Sequence, residues 1–297
     1  MIKVLYELSG NCRKRNVRIG SLVYKCSKLF LSLFYPIVAF FNTGYGLDDK
    51  GEIIVSITSF PKRIHTVWIT IASLLNQDMK PQKVILWLAE EQFPNRKIPY
   101  SLRRLKKRGL EIKFCDDLKP HKKYYYTMQE NPEAIVVTAD DDILYPENHL
   151  KELWEGHKKY PHCIVCSWAH TIKISESGFA KYSEWKNTKE QTPSYTTVPI
   201  GCNGVLYPPK SLSLEVFNKD KLKKVSLYTD DLWLKCMALL SGTKSVRYYG
   251  YDLIYFNLIY TQFNGLWKKN TKGDNRNDKV WDALMIEYPR VIKIMRG

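Results

Sequence analysis

The sequence predicts an α/β fold, a mostly parallel sheet of Rossmann-like type flanked by helices. Three observations point there. From Glu52 onward short β-branched runs alternate with helix-length segments. The first of them, Ile53 to Ile57, is a continuous β-branched run rather than an alternating one, and the fourth runs straight into three aspartates. Strands covered on both faces read as unbroken Val/Ile/Leu runs, and a strand–helix–strand rhythm builds a parallel sheet between two helical layers. Ligands in such sheets bind beyond the carboxyl ends of the strands.

Taken in order, residues 1–48 stand apart as a basic, amphipathic N-terminal segment. Arg13, Lys14, Arg15, Arg18, Lys25 and Lys28 precede an apolar run from Leu29 to Phe41 that contains Pro36. The run is too short to span a bilayer unaided, and no small-residue cleavage site follows it. A helix lying in the interface, its cations on anionic headgroups, fits this pattern, which predicts a peripheral protein on the cytoplasmic face of a membrane. The plainer alternative is a helix packed on the protein's own core.

Residues 49–297 form the main domain, a nucleotide half over about 49–145 and an acceptor half over about 146–297. Strands are expected at 53–57, 84–88, 110–114 and 135–138, with helices at 64–77, 99–108 and 121–130 between them. Gly109 stops the second helix and Pro132 follows the third. Beyond, helices are expected at 147–159, 231–241 and 279–295 and a strand at 164–168. Residues 175–197 read as a long polar loop and 264–279 as a mobile segment.

Composition narrows the function. A net charge of +16 attracts polyanions, whether lipid, nucleotide diphosphate or nucleic acid. No zinc-finger spacing or RNP-like motif is present, so nucleic acid is not expected as a partner. Seven scattered cysteines, with Cys163 and Cys166 in a strand-like run, fit a reducing compartment.

The strongest chemical signal is Asp140-Asp141-Asp142. Three carboxylates at a strand end repel one another unless a cation sits among them. Hard oxygen ligands on a loop suit Mn²⁺ or Mg²⁺, with substrate phosphates completing the shell. The alternative is an acidic turn ahead of Pro146 and a helix.

Val136-Val137-Thr138-Ala139-Asp140-Asp141-Asp142 resembles the D-x-D element of GT-A-fold glycosyltransferases, and is similar to that of the family 2-like bacterial enzymes of capsule and lipopolysaccharide assembly. The resemblance covers roughly residues 52–245 and implies a sugar transferase using a nucleotide-diphosphate donor, UDP-sugar favoured, and a saccharide or lipid-linked acceptor. It implies Asp140 on ribose or metal and Asp142 on metal, with Asp141 beside them in the nucleotide site. Thr58, Ser59 and Arg63, at the end of the first strand, fall where that family holds base, ribose and phosphate. His121 and Lys122, basic residues at a helix start, ask for an anion such as a diphosphate; Asp116 and Asp117 nearby are the competing partners. Asp230-Asp231 resembles the family's Glu-Asp pair, which implies Asp231 as catalytic base of an inverting enzyme with Asp230 beside it. Gly201, Asn203 and Gly204 form a glycine-flanked turn suited to an acceptor wall. The family's C-terminal histidine ligand has no counterpart; Asp252, Asp274 and Asp278 are the substitutes available. Asn264, Lys268, Lys269, Asn275 and Arg276 are candidates for a loop closing over the diphosphate. Two other classes remain open: a metal-dependent nucleotidyl- or phosphoryltransferase, disfavoured by the lack of a Gly-rich phosphate loop, and a non-enzymatic protein binding polyanions or membrane surfaces.

Overall fold

The computed structural model describes residues 1–296 except 43, 45, 176, 177, 189, 252 and 265–274, and the side chains of 262–264. Helices α1 (Ile2–Arg15) and α2 (Val17–Phe41) form an antiparallel pair, with Asn16 capping α2 by accepting from Arg18 N and Ile19 N. The pair is built onto the domain. Ile2, Tyr6, Leu31 and Tyr35 enter the main hydrophobic core, and Glu147 accepts from the amino terminus at 2.6 Å. The apolar run expected over 29–41 is the second half of a 25-residue helix, and Pro36 lies inside it.

The main sheet has seven strands: β1 (Ile53–Thr58), β2 (Lys83–Ala89), β3 (Leu110–Cys115), β4 (Ile135–Ala139), β5 (Ile164–Cys166), β6 (Val205–Tyr207) and β7 (Ser245–Arg247), in the order β7-β5-β6-β4-β1-β2-β3. All neighbours are parallel except β6, which runs against both β4 and β5. Helices α3 (Val67–Leu75), α4 (Tyr100–Lys106) and α5 (Lys122–Glu130) connect the first four strands, as the alternation predicts. Helices α6 (His149–Lys159), α7 (Lys219–Val225), α8 (Asp230–Leu240), α9 (Arg276–Glu287) and α10 (Arg290–Arg296) complete the domain. The single helix expected over 279–295 is two, parted at Tyr288-Pro289, because proline cannot continue a helix. The expected loop over 175–197 holds short strands, among them Lys186–Asn187 paired with Ala169–Thr171.

Register places the site. Ile57 of β1 lies opposite Ala139 of β4, so both strands end together, one at Thr58-Ser59 and the other at Asp140. Val205 of β6 lies opposite Thr138. The turn preceding this reversed strand therefore reaches the same edge, and delivers Gly201 beside Asp140.

Candidate active site

Five carboxylates meet at this edge, and two buried cations organise them. Arg63 follows β1; its Nη1 donates to Asp141 Oδ1 at 2.5 Å and its Nη2 lies 3.0 Å from Asp142 Oδ2. Ser59 Oγ also donates to Asp141, at 2.6 Å. Lys123, in the first turn of α5, is only 4% exposed. Its ammonium reaches Asp140 at 2.7 Å and Asp230 at 2.9 Å. One lysine thus ties the loop after β4 to the start of α8.

The pair at α8 is electrostatically split. Burial alone would raise the Asp230 carboxyl, but Lys123 and His121 hold it below its ordinary range. Asp231 is pushed well above its range by burial and by Asp230, despite Lys123. Its Oδ1 accepts from Gly201 N at 3.1 Å. Paired carboxyls driven apart in this way define one permanent anion and one proton acceptor. Both lie in the first turn of α8, where the helix dipole favours negative charge. Lys123 keeps its proton, since three carboxylates outweigh its burial.

The fit of a divalent cation can be tested on Asp142. Burial raises its carboxyl to about 7, with Asp141 and Asp140 adding to the rise and Arg63 opposing it. Asp140, Asp141 and Asp142 are hard oxygen donors crowded at one strand end, a donor type that suits Mn²⁺ or Mg²⁺. Among the described residues no group of three His, Cys, Asp or Glu side chains converges closely enough to hold a metal by itself. A cation here therefore fits only as Mg²⁺ commonly binds, on one or two carboxylates with substrate phosphates completing the shell.

The other sequence candidates divide. Asp140, Asp141, Asp142, Asp230, Asp231, Ser59, Arg63 and Gly201 come together. A Cβ on Gly201 would lie 3.1 Å from both Asp231 Oδ1 and Lys123 Nζ. Thr58 stands at the same strand end, with its hydroxyl donating to Trp87 O. His121 and Lys122 are engaged elsewhere. His121 is fully buried between Tyr124 Oη and Ser226 O, and Lys122 Nζ pairs with Asp117 at 2.5 Å. The reason is helical phase: α5 begins at Lys122, and one residue further round Lys123 points to Asp140. Asn203 is buried, its Oδ1 accepting from Tyr255 N, and Gly204 adopts φ +78° against His149. Asp278 Oδ1 accepts from Tyr182 N, and Arg276 sits over the Tyr228 ring. Asp252, Asp274, Lys268, Lys269 and the Asn264 side chain lie outside the described residues.

Three residues enter beyond the sequence candidates. Cys202 is enclosed by Asp140, Asp231 and Asp142, which together with burial keep its thiol protonated. Tyr145 Oη accepts from Asp140 N at 2.8 Å. Lys28, from α2, is held below its ordinary range by partial burial, with the charge of Asp142 opposing the shift. Only the last had a visible cue, as the final cation before the apolar run.

No protein-family model matches the chain, and no curated protein matches it. Among solved structures it is similar to the mannosyltransferase PcManGT from Pyrobaculum calidifontis in complex with GDP-Man and Mn²⁺, with a TM-score of 0.45, 11% identity, and coverage of 93% of this chain and 83% of that one. It is also similar to S. aureus TarS 1–349, with a TM-score of 0.44, 11% identity and coverage of 80% and 73%. A third likeness is to CMP:2-keto-3-deoxy-manno-octonic acid synthetase complexed with CTP, with a TM-score of 0.39, 9% identity and coverage of 66% and 88%. With TM-scores below 0.5, the functional reading rests on this chain's own residues.

Proposed function

We propose that this chain is a glycosyltransferase that moves a sugar from a nucleotide-diphosphate donor, UDP-sugar favoured, to the hydroxyl of a saccharide or lipid-linked acceptor. The observation that carries the reading is the Lys123 junction. It joins a strand-end carboxylate suited to a phosphate-bound cation, Asp140, to an acid–base pair, Asp230 and Asp231, whose two carboxyls are pushed in opposite directions.

In this reading Thr58, Ser59 and Arg63 face the nucleotide at the carboxyl ends of β1 and β4. Asp140 and Asp142 would hold Mn²⁺ or Mg²⁺, which supplies neutralising charge for the departing diphosphate. Asp231 accepts the proton of the acceptor hydroxyl as its oxygen bonds to the anomeric carbon. The bond from that carbon to the diphosphate breaks, inverting the configuration. Burial and the neighbouring Asp230 raise the affinity of Asp231 for protons, the direction a general base requires. Gly201, lacking a side chain, leaves the approach to Asp231 open. Asp230, locked to Lys123, stays ionised and holds that lysine in place. The protein works at the cytoplasmic face of an anionic membrane, in cell-surface polysaccharide synthesis, and the exposed apolar side chains of α2 support the membrane part of this reading.

Calorimetric titration of UDP and GDP with and without Mn²⁺, on the natural protein and Asp142→Asn, tests the donor site. Metal-dependent binding that disappears in Asp142→Asn is expected. Equal binding by both proteins would remove Asp142 from the site. Release of nucleoside diphosphate, rather than pyrophosphate, separates sugar transfer from nucleotidyl transfer.

A further inference from the structure

The structure assigns a composite membrane footprint to this protein: the outer stripe of α2 together with the basic flank of α4, seated flat on an anionic bilayer. This rests on the peripheral-membrane reading above and adds the surface, its orientation and a contribution from within the main domain.

The exposed side chains of α2 fall on one face. Leu22, Leu29, Leu33, Phe34, Ile37 and Phe41 are each at least 49% exposed. Their spacing of three, four and seven residues draws a stripe about 28 Å long at 1.5 Å per residue. The opposite face is built into the domain. Leu31 and Tyr35 are buried, Tyr24 stacks on Phe256 at 5.0 Å, and Ser32 Oγ accepts from Ile259 N at 3.2 Å. By length and composition alone α2 could cross a membrane. Crossing would strip that inner face from its partners, whereas lying flat keeps them and covers the stripe.

Charge identifies what covers it. Arg15, Arg18 and Lys25 are exposed near one end of the stripe. At the other end α4 and its C-cap supply exposed Arg103, Lys106 and Lys107. Arg104 fixes this junction, its guanidinium lying 3.9 Å from the Phe40 ring centroid while Nη2 donates to Phe40 O at 3.0 Å. An apolar band with cations at both ends matches acyl chains flanked by anionic headgroups.

Vesicle co-sedimentation of the full chain tests the assignment, with phosphatidylcholine alone and with added phosphatidylglycerol. The comparison is between Arg103→Gln/Lys107→Gln on α4 and Lys223→Gln/Lys224→Gln on α7, an equal charge change at another exposed site; circular dichroism checks that each is folded. The natural protein is expected to bind the anionic vesicles. Each α4 cation is worth about fivefold in partitioning, roughly 25-fold for the pair, while the α7 pair retains binding. If the two double variants bind alike, the α4 part is overturned and the peripheral reading survives. If the natural protein binds neither vesicle, the peripheral reading falls and takes the footprint with it. If Leu33→Glu turns a dimer into a monomer and leaves vesicle binding unchanged, the stripe is an interface between copies and the assignment is wrong.

Discussion

Lys235 offers a quantitative test of the packing behind the site. It lies in α8, one turn beyond Asp231, and is 1% exposed. Its ammonium has no hydrogen-bond partner among the described atoms. Lysines ordinarily run their stems to the surface and keep the charge in water, but here both flanks, Leu234 and Cys236, are buried. Burial pushes the ammonium from 10.5 down to about 7, opposed weakly by the neighbouring thiols of Cys166 and Cys236. Between pH 7 and 10.5 the unfolded lysine is protonated and the folded one largely neutral. The unfolded state then binds more protons, so this residue makes stability rise with pH across that window. The cost of holding Lys235 inside, from the displaced pKa, is about 4 kcal/mol at pH 7 and about 2 kcal/mol at pH 9. Lys235→Met keeps the length and removes the charge. Urea unfolding should find the variant more stable by roughly these amounts, with a gain that shrinks by about half between pH 7 and pH 9. A gain that does not change with pH, or a variant less stable at pH 7, would refute the reasoning.

Other perturbations act on the site directly. Asp231→Asn should lower turnover by about 10² to 10⁴ while leaving nucleotide affinity unchanged, which single-turnover kinetics and calorimetry can separate. Lys123→Met removes a buried cation from Asp230 and from Asp140, the latter a third exposed, and should cost about 3 kcal/mol in chemical denaturation, the low end for breaking a buried pair; a neutral result would mean that water already reaches the junction. Gly204→Ala meets both an unfavourable φ of +78° and a Cβ that would lie 2.4 Å from His149 Nε2. A loss of about 1–3 kcal/mol in thermal unfolding is expected there.

Much of the first half was legible in the sequence. Strands β1, β2 and β4 are largely apolar runs of five to seven residues, while β3 alternates Leu110, Ile112 and Phe114 with Glu111 and Lys113; each is set off by a turn signal, and three carboxylates cannot continue such a run into a core. Strand β6 left no such mark. It is three residues between Gly204 and Pro208, too short for periodicity to register, and its place between β4 and β5 depends on distant pairing. The partner of Asp140 was hidden for another reason. Lys122 and Lys123 are the same residue type side by side, and only the exact start of α5 decides which one turns inward. Helix α2 was half read. Its first turns mix Arg18, Gly20, Ser21 and Lys25 with apolar residues, so the contiguous run began only at Leu29, while the cap at Asn16 set the true start.

The reversed strand β6 also bears on the order of folding. Val205 must find Thr138 and Cys166, positions 67 and 39 residues earlier, before Gly201 can reach Asp231. Contacts this distant in sequence carry a large loop-closure cost and form slowly. Strands β1, β2 and β3 pair over only 29 and 26 residues, whereas β4 joins β1 across 82, so the β1–β4–β6 seam closes late and until then leaves Asp140, Asp141 and Asp142 hydrated at an open edge. Closing that edge desolvates them together with Asp230 and Asp231, which is tolerable only once Arg63 and Lys123 are in place. The seam is therefore expected to be the last part of the sheet to gain protection against amide exchange, and the first to lose it when the protein opens.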